Sequence, residues 1–398
     1  MSQFTSDKWI EIDIKALKDN LAAVKSLLSP GVRLIAVVKA NAYGHGAVEV
    51  ARLLQHNGVD FFAVSYLNEA LELRNAGIKE KILLFAPLVD EAQVKEAIQH
   101  DITLTVASPY DCDLIDLVSS QMNHLATVHL KVDTGLGRFG LKPAETIAAC
   151  TKLGDNRRIH IEGIYTHMAR GASPNPHYTN RQFKAFMAVI EQLKDQGYNI
   201  PIKHCANSAV LVKYPHMHLD AVRVGTLISG QYPAGISDRP VPLQDPYKFK
   251  CRIISVRTLP KGSYLGYNST YRLKTDAQVA VIPVGFSDGL ALAVANKPAG
   301  FVDMVKIIAK TVLGYVNFPR FNLQVTFKGN NYPIRGKVFM QMALVEIPLS
   351  IEVNPGDEVE LPVRKTLAPA SLVRVYTEDG LAVKIGREDR SSYVIGET

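Results

Sequence analysis

The sequence predicts an α/β fold: a (β/α)8 barrel of the TIM type followed by a mostly β C-terminal domain. Up to Gly230, short apolar runs alternate with amphipathic stretches, a pattern typical of parallel βαβ units. Beyond Gly230 the pattern changes to β-rich runs separated by turns. The length of 398 residues also exceeds what a single hydrophobic core usually holds, so two domains are expected.

The barrel is predicted from eight short apolar runs, each of a length suited to a buried strand. Eight such strands, each followed by a helix, close a barrel of about 250 residues. The runs are Leu34–Val38, Phe61–Val64, Ile82–Phe85, Ile102–Val106, Thr127–Val132, Ile159–Tyr165, Ile202–Cys205 and Ala221–Val224.

Helices are predicted between these runs. Apolar residues recur there every three or four positions, as Leu17, Leu21 and Val24 do, which is the spacing of one buried helix face. The predicted helices include Lys15–Leu28, Ala47–His56, Leu67–Ala76, Asp90–Gln99, Ala144–Leu153 and Asn180–Gln196.

The second domain follows a junction marked by several prolines. We place the barrel in residues 1–240 and the β domain in residues 241–398, with no long amphipathic helix expected in the latter. The alternating stretch Trp9–Ile14 makes residues 1–14 a candidate to pair with the β domain. Its predicted β runs are Cys251–Thr258, Gln278–Val284, Met304–Val312, Leu323–Phe327, Gly336–Val345 and Glu358–Leu361.

Composition excludes several classes of function. The chain is 47% apolar and 21% charged, as ordinary globular proteins are, and its net charge is +7. Lysines and arginines are scattered, so no nucleic-acid surface is expected. The four cysteines lie far apart, which predicts neither a metal site nor a disulfide framework. No leader or membrane-spanning run is found, so we expect a cytoplasmic protein without a membrane partner.

Chemically capable side chains cluster just past the predicted strands. In a barrel, these positions converge on one face and form the active site. Taken singly, several have structural explanations: Asn207 or Ser208 as a helix N-cap, His167 as a hydrogen-bonded core histidine, and Asp133 as a turn residue. The residues with this shared position are Lys39, Lys131, Arg138, His167, Asn207, Ser208, Arg223, Gly225 and Thr226.

Two groups in this set point to one cofactor. Lys39 ends a buried strand, where poor solvation makes a neutral amine accessible for Schiff-base chemistry, although a strand-end lysine can also simply extend to water. Ser208, Gly225 and Thr226 follow the last strands, where barrels commonly bind phosphate. Pyridoxal 5′-phosphate (PLP) is an aldehyde with a phosphate arm and satisfies both demands.

At this point the chain resembles the alanine racemases over most of its length. The motif Val-Lys-Ala-Asn-Ala-Tyr-Gly-His-Gly at residues 38–46 is the most specific match. Other matching segments are Trp9–Asp13, Lys131–Gly140, Thr166–His167, Ala206–Ala209, Arg223 with Gly225, Gly266–Tyr271 and Ile282–Gly289. The resemblance implies an isomerase, a PLP-dependent amino-acid racemase that interconverts L- and D-alanine and supplies D-alanine for the peptidoglycan of the cell wall.

The resemblance also implies roles for particular residues. Lys39 would anchor the cofactor and act as one catalytic base, and Tyr267 would be the other, reaching in from the partner subunit of a head-to-tail homodimer. Arg138 and Met340 would bind the substrate, and Lys131 would be a carbamylated lysine that positions Arg138. The implied cofactor-binding residues are Lys39, Tyr43, His167, Asn207, Ser208, Arg223, Gly225 and Thr226.

Elementary chemistry agrees with these roles. Inversion at Cα requires proton removal from one face and proton return on the other, so two bases must flank the substrate. Arg223 opposite the pyridine nitrogen would leave that nitrogen largely unprotonated, because a guanidinium does not give up its proton. This arrangement favours racemisation over transamination or decarboxylation.

Other functions remain open from the sequence. Asn268, Phe286 and Gln341 replace the family's usual residues, the connection 296–331 is long, and the tail lacks the family's closing pattern. These departures leave room for a racemase of broader or different specificity, acting on serine, lysine or others. A non-catalytic PLP-binding protein on the same barrel is a further alternative, against which the β domain and Tyr267 argue.

Overall fold

The chain folds into two compact units. The computed structural model describes residues 6–293, 298, 300–315, 322–386 and 393–394. One unit spans Ile14–Pro246, and the other combines the residues up to Asp13 with those from Tyr247 onwards. The first strand, β1 (Lys8–Asp13), therefore belongs to the unit formed by the C-terminal half.

The first unit is built on eight parallel strands. They are β2 (Arg33–Val37), β3 (Phe61–Val64), β4 (Lys81–Leu84), β5 (Ile102–Val106), β6 (Ala126–Lys131), β7 (Ile159–Tyr165), β8 (Ile202–His204) and β9 (Ala221–Val224). Neighbours in the sequence pair in order, and β9 returns to pair with β2 through Leu34 opposite Val222. An isolated bridge between Ala206, just past β8, and Val222 of β9 nearly closes the barrel. The predicted fold class is confirmed.

Helices cover the outside of the barrel, as the amphipathic spacing predicts. Several begin at side-chain caps: Asp90 accepts the Gln93 N–H, and Ser108 accepts the Asp111 N–H. The elements assigned as helical are α1 (Ile14–Ser26), α2 (Lys39–Tyr43), α3 (Ala47–His56), α4 (Leu67–Asn75), α5 (Glu91–Gln99), α6 (Pro109–Gln121), α7 (Pro143–Gly154), α8 (His177–Asp195) and α9 (Ser208–Lys213).

The barrel interior is apolar on one side and polar on the other. Alternate residues of a strand point to the same face, so Ile35 and Val37 of β2 share the interior with Phe61 and Ala63 of β3. Further along the barrel, ionisable side chains take the interior positions and are treated with the site below. The apolar cluster comprises Ile35, Val37, Phe61, Ala63, Leu83, Ile202 and Ala221.

The second unit is mostly β. The strands after β9 are β10 (Tyr247–Arg252), β11 (Ser255–Leu259), β12 (Tyr264–Leu265), β13 (Tyr271–Arg272), β14 (Ala277–Ile282), β15 (Gln324–Phe327), β16 (Asn330–Arg335), β17 (Ala343–Pro348), β18 (Glu358–Leu361), β19 (Arg374–Glu378), β20 (Leu381–Gly386) and β21 (Tyr393–Val394). Over the described residues, the main sheet has the order β11-β14-β17-β16-β15-β18-β10-β1-β19-β20-β21, and β12 and β13 form a separate ribbon.

Four predictions for this unit were wrong in detail. The run Met304–Val312 is part of a helix, α10 (Phe301–Tyr315), and not a strand, so the expected absence of long helices was also wrong. Its β-branched residues favour a strand by composition, but Met304, Ile308 and Val312 recur every four residues as in a helix.

Two further runs are divided. Cys251–Thr258 contains the end of β10 and most of β11, separated at Ile253 and Ile254. In Gly336–Val345 the strand β17 begins only at Ala343, and Gly336 adopts a positive φ of 71° that interrupts an extended chain.

No helix in the described part of the chain has both the length and the hydropathy of a membrane-spanning segment.

Candidate active site

A pocket of about 430 Å³ opens at the C-terminal end of the barrel strands. This volume is in the range of cofactor and small-molecule sites. The pocket brings together all the barrel residues that the sequence singled out for binding or catalysis: Lys39, Tyr43, Lys131, Arg138, His167, Asn207, Ser208, Arg223, Gly225 and Thr226. The other two, Tyr267 and Met340, belong to the second unit.

Lys39 stands at the head of a left-handed turn. The φ angles of Ala40, Asn41, Ala42 and Tyr43 are 50°, 52°, 49° and 57°. An L-residue in this region costs about 1–2 kcal/mol, so four in succession persist only where their surroundings hold them. The element α2 is therefore a strained turn that fixes the backbone of the candidate catalytic lysine.

Hydrogen bonds at both ends hold this turn. The Ala42 N–H donates to the Val38 carbonyl over 2.8 Å, and the Asn41 side chain accepts the Ala47 N–H over 2.6 Å. The Asn41 side chain thus links the turn to the first residue of α3.

Glu69, which the sequence reasoning missed, links the turn to α4. One carboxylate oxygen accepts the Ala40 N–H over 2.5 Å. The other accepts the N–H groups of Ser65 and Tyr66 over 2.8 and 3.0 Å. Glu69 also acts on Lys39 electrostatically: burial and then Arg138 lower the lysine pKa, and Glu69 opposes them. The net effect is an amine that loses its proton more easily than a free lysine.

Three hydroxyl groups form one wall of the pocket. Tyr43 packs directly on Gly225, where a Cβ would overlap its ring and hydroxyl oxygen, so a glycine is required there. Burial, followed by Glu69, raises the pKa of Tyr43 to about 12 and keeps it a hydrogen-bond donor. The Thr226 hydroxyl is buried and has no partner among the described residues, and Ser208 is also buried.

Asn207 has the geometry of a helix cap. Its side-chain oxygen accepts the N–H groups of Ala209 and Val210, each over 3.1 Å, at the start of α9. Its side-chain NH2 donates to the Met168 carbonyl over 3.4 Å. Asn207 therefore fixes the position of Ser208 at the pocket wall.

Arg138 is carried on a loop organised by Asp133. One oxygen of this carboxylate accepts the N–H groups of Gly135 and Leu136 over 2.9 Å each. Burial raises the pKa of Asp133, but these hydrogen bonds and that of Gly137 outweigh it and lower the pKa overall. The turn interpretation of Asp133 is thus the correct one, and the turn determines where Arg138 lies.

Lys131 is a buried amine surrounded by cations and aromatic rings. Its Nζ lies 3.5 Å from the centroid of the Phe139 ring, and the Arg138 guanidinium lies 5.0 Å from the same centroid. Burial, with Arg138 and Arg223, lowers the pKa of Lys131 to about 7. A sizeable fraction of this amine is therefore neutral and nucleophilic near pH 7.

Arg223 is fixed on the closing strand β9 and is almost fully buried. It donates to the His204 ring Nδ1 over 2.7 Å and to the Thr166 carbonyl over 2.8 Å. The Nδ1 of His167, another pocket residue, lies farther from the guanidinium, at 3.5 Å. Burial lowers the pKa of Arg223 to about 10, which leaves it charged near pH 7.

Tyr267 and Met340 lie on exposed loops of the second unit. The Tyr267 side chain is 69% exposed, and its ring meets the edge of Phe339 with a centroid distance of 5.1 Å. The Met340 carbonyl accepts the Ser287 N–H and hydroxyl over 3.0 and 2.7 Å. The contact between Tyr267 and Phe339, which precedes Met340, holds the loops of Tyr267 and Met340 near each other.

Three further residues near the site, His129, His204 and Glu69, were not predicted from the sequence. His129 could have been found, because it precedes Lys131 by two positions in β6 and strand alternation places both side chains in the barrel interior. His204 ends β8, but histidine at a strand end has many uses. Glu69 lies on a helix and contacts the site only through the tertiary fold.

The fold and the pocket define a class: a barrel enzyme with a β domain, in which a lysine of lowered pKa faces a hydroxyl-lined wall. Comparison with known proteins identifies the family. Residues 12–233 match the family model for the alanine racemase N-terminal domain, and residues 247–372 match that for the alanine racemase C-terminal domain. The chain belongs to the alanine racemase family and is an amino-acid racemase.

Curated relatives cover nearly the whole chain. It is 33% identical to the alanine racemase of Methanococcus maripaludis over 353 residues, covering 88% of this chain and 87% of that protein. It is 35% identical to the alanine racemase of Desulforamulus reducens over 369 residues, covering 90% and 92%.

Solved structures agree. The alanine racemase of Clostridium difficile 630 superposes with a TM-score of 0.86 at 28% identity, covering 97% of this chain and 99% of that one. The alanine racemase of Bacillus anthracis with bound L-Ala-P gives a TM-score of 0.82 at 26% identity, with the same coverage.

The pocket fits the cofactor of this family, pyridoxal 5′-phosphate. Lys39, whose amine has a lowered pKa, would carry its aldehyde covalently. The orphaned Thr226 hydroxyl, with those of Ser208 and Tyr43, supplies donors for the phosphate. The cationic Arg223 lies in the same pocket and can donate to the ring nitrogen.

Glu69→Gln should loosen the turn at Lys39 and shift its ionisation. The amide replaces an acceptor of three N–H groups with a group that also donates, so the free energy of unfolding should fall by about 1–3 kcal/mol. Loss of the charge should lower the Lys39 pKa further, measured in cofactor-free protein as the pH dependence of Lys39 acetylation by mass spectrometry. The exposed Glu96→Gln is the control; an unchanged acetylation profile in Glu69→Gln would contradict the electrostatic role.

Lys131→Met should flatten the rise of stability with pH above neutrality. Below pH 7 Lys131 is protonated in both the folded and unfolded chain; above it the folded chain has lost a proton that the unfolded chain keeps up to its ordinary pKa of 10.5. The free energy of unfolding therefore rises with pH in that window, by up to about 1 kcal/mol per pH unit. Urea titrations at pH 7 and 8 in CO2-free buffer test this, with Lys184→Met as control; equal pH slopes in Lys131→Met and wild type would refute it.

Proposed function

We propose that this protein interconverts L- and D-alanine, with Lys39 and the partner subunit's Tyr267 as opposed bases. The proposed setting is the cytoplasm, where the product would supply peptidoglycan synthesis; the four cysteines, all free and buried, suit a reducing compartment. The observation that carries the proposal is the meeting of a lysine of lowered pKa, a hydroxyl wall and a buried arginine in one barrel pocket. When bound, PLP withdraws electrons from the substrate Cα and makes its hydrogen acidic.

Lys39 is the proposed carrier of the cofactor and the base on one face. Burial and the nearby Arg138 favour its neutral amine, which is the form able to accept a proton at Nζ. The strained turn after Lys39 and its bond to Glu69 restrict where this amine can reach. A fixed base is needed, because proton transfer depends on a donor–acceptor distance of about 3 Å.

The second base is proposed to come from another subunit. The tyrosines of the pocket, Tyr43 and Tyr165, have pKa values raised to about 12 by burial, which opposes their use as bases. Tyr267 instead stands on an exposed loop of the second unit, which also exposes the apolar side chains Phe286 and Met340. Exposed apolar side chains of this kind are commonly buried against a partner. A head-to-tail homodimer would bury them and bring Tyr267 to a pocket.

Arg138 is the proposed ligand of the substrate carboxylate, with Met340 beside the substrate side chain. Lys131 is the proposed positioning group for Arg138. Its neutral amine can attack CO2, forming an N–C bond and releasing a proton, and the resulting carbamate would be an anion beside the Arg138 guanidinium. Without that anion the two residues are like charges beside the Phe139 ring.

The remaining pocket residues are proposed to hold the cofactor. Tyr43, Ser208 and Thr226 would donate to the phosphate, and Gly225 allows the Tyr43 hydroxyl to come close. Arg223 would donate to the ring nitrogen from the pocket floor, with His167 packed nearby and Asn207 holding the start of α9.

Racemisation of L-alanine should exceed that of serine, lysine and the other common amino acids in kcat/KM. The measurement is a chiral chromatography panel on PLP-loaded protein. Lys39→Ala should reduce kcat for alanine by about 10³-fold or more, since it removes a base as well as the cofactor anchor. Lys184→Ala is the control for this loss of activity. In the wild type, borohydride should fix the cofactor on Lys39. A higher kcat/KM for another amino acid would support the alternative of different specificity.

Mixed dimers should reveal a shared active site. Lys39→Ala and Tyr267→Phe should each be inactive as homodimers, whereas a mixed dimer has one site in which both bases are intact. Random assortment should restore about one quarter of wild-type activity, as expected for a two-fold symmetric dimer. Tyr264→Phe, a second exposed tyrosine of the same unit, is the matched control for Tyr267→Phe. No recovery on co-expression of the two variants would rule out a base supplied by the partner.

A further inference from the structure

A chain of buried ionisable side chains runs through the barrel interior, away from the pocket. Arg223 donates to the His204 Nδ1 over 2.7 Å, and the His204 Nε2 lies 2.9 Å from the His129 Nδ1. The His129 Nε2 lies 3.3 Å from one oxygen of Glu162, whose other oxygen pairs with Lys81. Both histidines are fully buried, and the Lys81 side chain is half exposed. The chain thus connects the pocket floor to solvent.

Only one arrangement of protons satisfies this chain. A guanidinium can only donate, so His204 must accept at Nδ1 and carry its proton at Nε2. His129 must then accept at Nδ1 and donate from Nε2 to the Glu162 carboxylate. Burial holds the pKa of His204 well below its usual value and lowers that of His129 as well, so both rings are neutral. The direction in which hydrogen bonds are donated along the chain, which we call its polarity, is therefore set by the Arg223 donor at one end and the Glu162 carboxylate at the other.

The backbone is shaped to admit Glu162. In the pairing of β6 with β7, Val128 lies opposite Ile161 but His129 lies opposite Gly163, so Glu162 is an extra residue in a bulge. A bulge of this kind re-aims a side chain. At Gly163 a Cβ would overlap the His129 ring. The ring of Tyr165 stacks on His204 at a centroid distance of 4.8 Å and fixes its plane.

Glu162 is ionised in this setting. Burial alone would raise the pKa of Glu162, but hydrogen bonds from His129 and Lys81 outweigh it and lower the pKa to about 2. It is therefore an acceptor at every pH at which the protein would work.

We propose that Glu162 is a positioning residue for Arg223, acting through the fixed tautomers of His129 and His204. This inference rests on the proposed role of Arg223 at the cofactor ring nitrogen. The carboxylate at the far end keeps the lone pair of His204 Nδ1 facing Arg223, and this bond holds the guanidinium at the pocket floor. Reversing the chain would place a ring N–H against the guanidinium and displace it.

Glu162→Gln tests the polarity. Lys81 can only donate, so it takes the amide oxygen and leaves the amide NH2 facing His129. Both histidines should then move their protons to Nδ1. Long-range ¹H–¹⁵N spectra of cofactor-free, ¹⁵N-histidine-labelled protein should show both rings protonated at Nε2 in the wild type and at Nδ1 in Glu162→Gln. Signals are assigned by their absence from His129→Asn and His204→Asn proteins. Nδ1 protonation of His204 in the wild type would overturn the proposal, even if no variant folds.

Removing Lys81 should restore the polarity. In Lys81→Met/Glu162→Gln the amide is free to turn its oxygen toward His129 and its NH2 toward solvent. With alanine, kcat/KM of Glu162→Gln should fall about tenfold or more, from the loss of a hydrogen bond to a charged group. The double variant should recover much of that loss, and Lys81→Met alone should resemble the wild type. A double variant no better than Glu162→Gln would overturn the proposal, because a purely structural ion pair predicts that outcome.

The visible absorption band of the bound cofactor adds a second readout. It should shift in Glu162→Gln and return in the double variant. If the wild type fails to racemise alanine while its histidines show the expected tautomers, the proposed substrate is wrong and the positioning chain stands. If the wild type racemises alanine but its histidines show other tautomers, the positioning chain is wrong and the proposed substrate stands.

Discussion

Burial of cationic groups at one end of the barrel is the constraint on which the site depends. Lys39, Lys131 and Arg223 all lie at the C-terminal ends of strands, where the barrel interior is poorly solvated. Desolvation lowers the pKa of all three. Repulsion from Arg138 lowers the pKa of both lysines further, and Arg223 adds to this effect for Lys131. The amines respond by approaching neutrality, which makes them reactive. The guanidinium cannot, so the protein surrounds it with carbonyl and imidazole acceptors.

The same constraint explains two costly features of the backbone. Four residues after Lys39 adopt left-handed angles, and the Glu69 carboxylate, a tertiary partner, accepts an N–H at their start. In strand β7, a bulge brings Glu162 to face His129. Each carboxylate contacts the site indirectly, one through the backbone next to Lys39 and the other through two histidines. The charges at the pocket are thus balanced from outside it.

Much of the barrel could be predicted because its signals are local. Phe61–Val64, Ile102–Val106, Ile159–Tyr165 and Ala221–Val224 have the bounds that their apolar runs predict. The helix α10 was misread as a strand because its β-branched composition outweighed its spacing. Glu69 and Glu162 could not be assigned to the site, because a glutamate on a helix or a strand is usually a solvated surface residue.

The sequence by itself determined that eight strands alternate with helices and that reactive residues follow their C-terminal ends. Periodicity and strand-end position are encoded within a few residues, so Lys39, Arg138, Ser208 and Arg223 could be assigned to one pocket. Only the tertiary structure decided that Arg223 is held by His204 and not chiefly by His167, and that Glu162 faces inward. Those outcomes depend on ring packing and on a register shift between two strands, which arise only when distant segments meet.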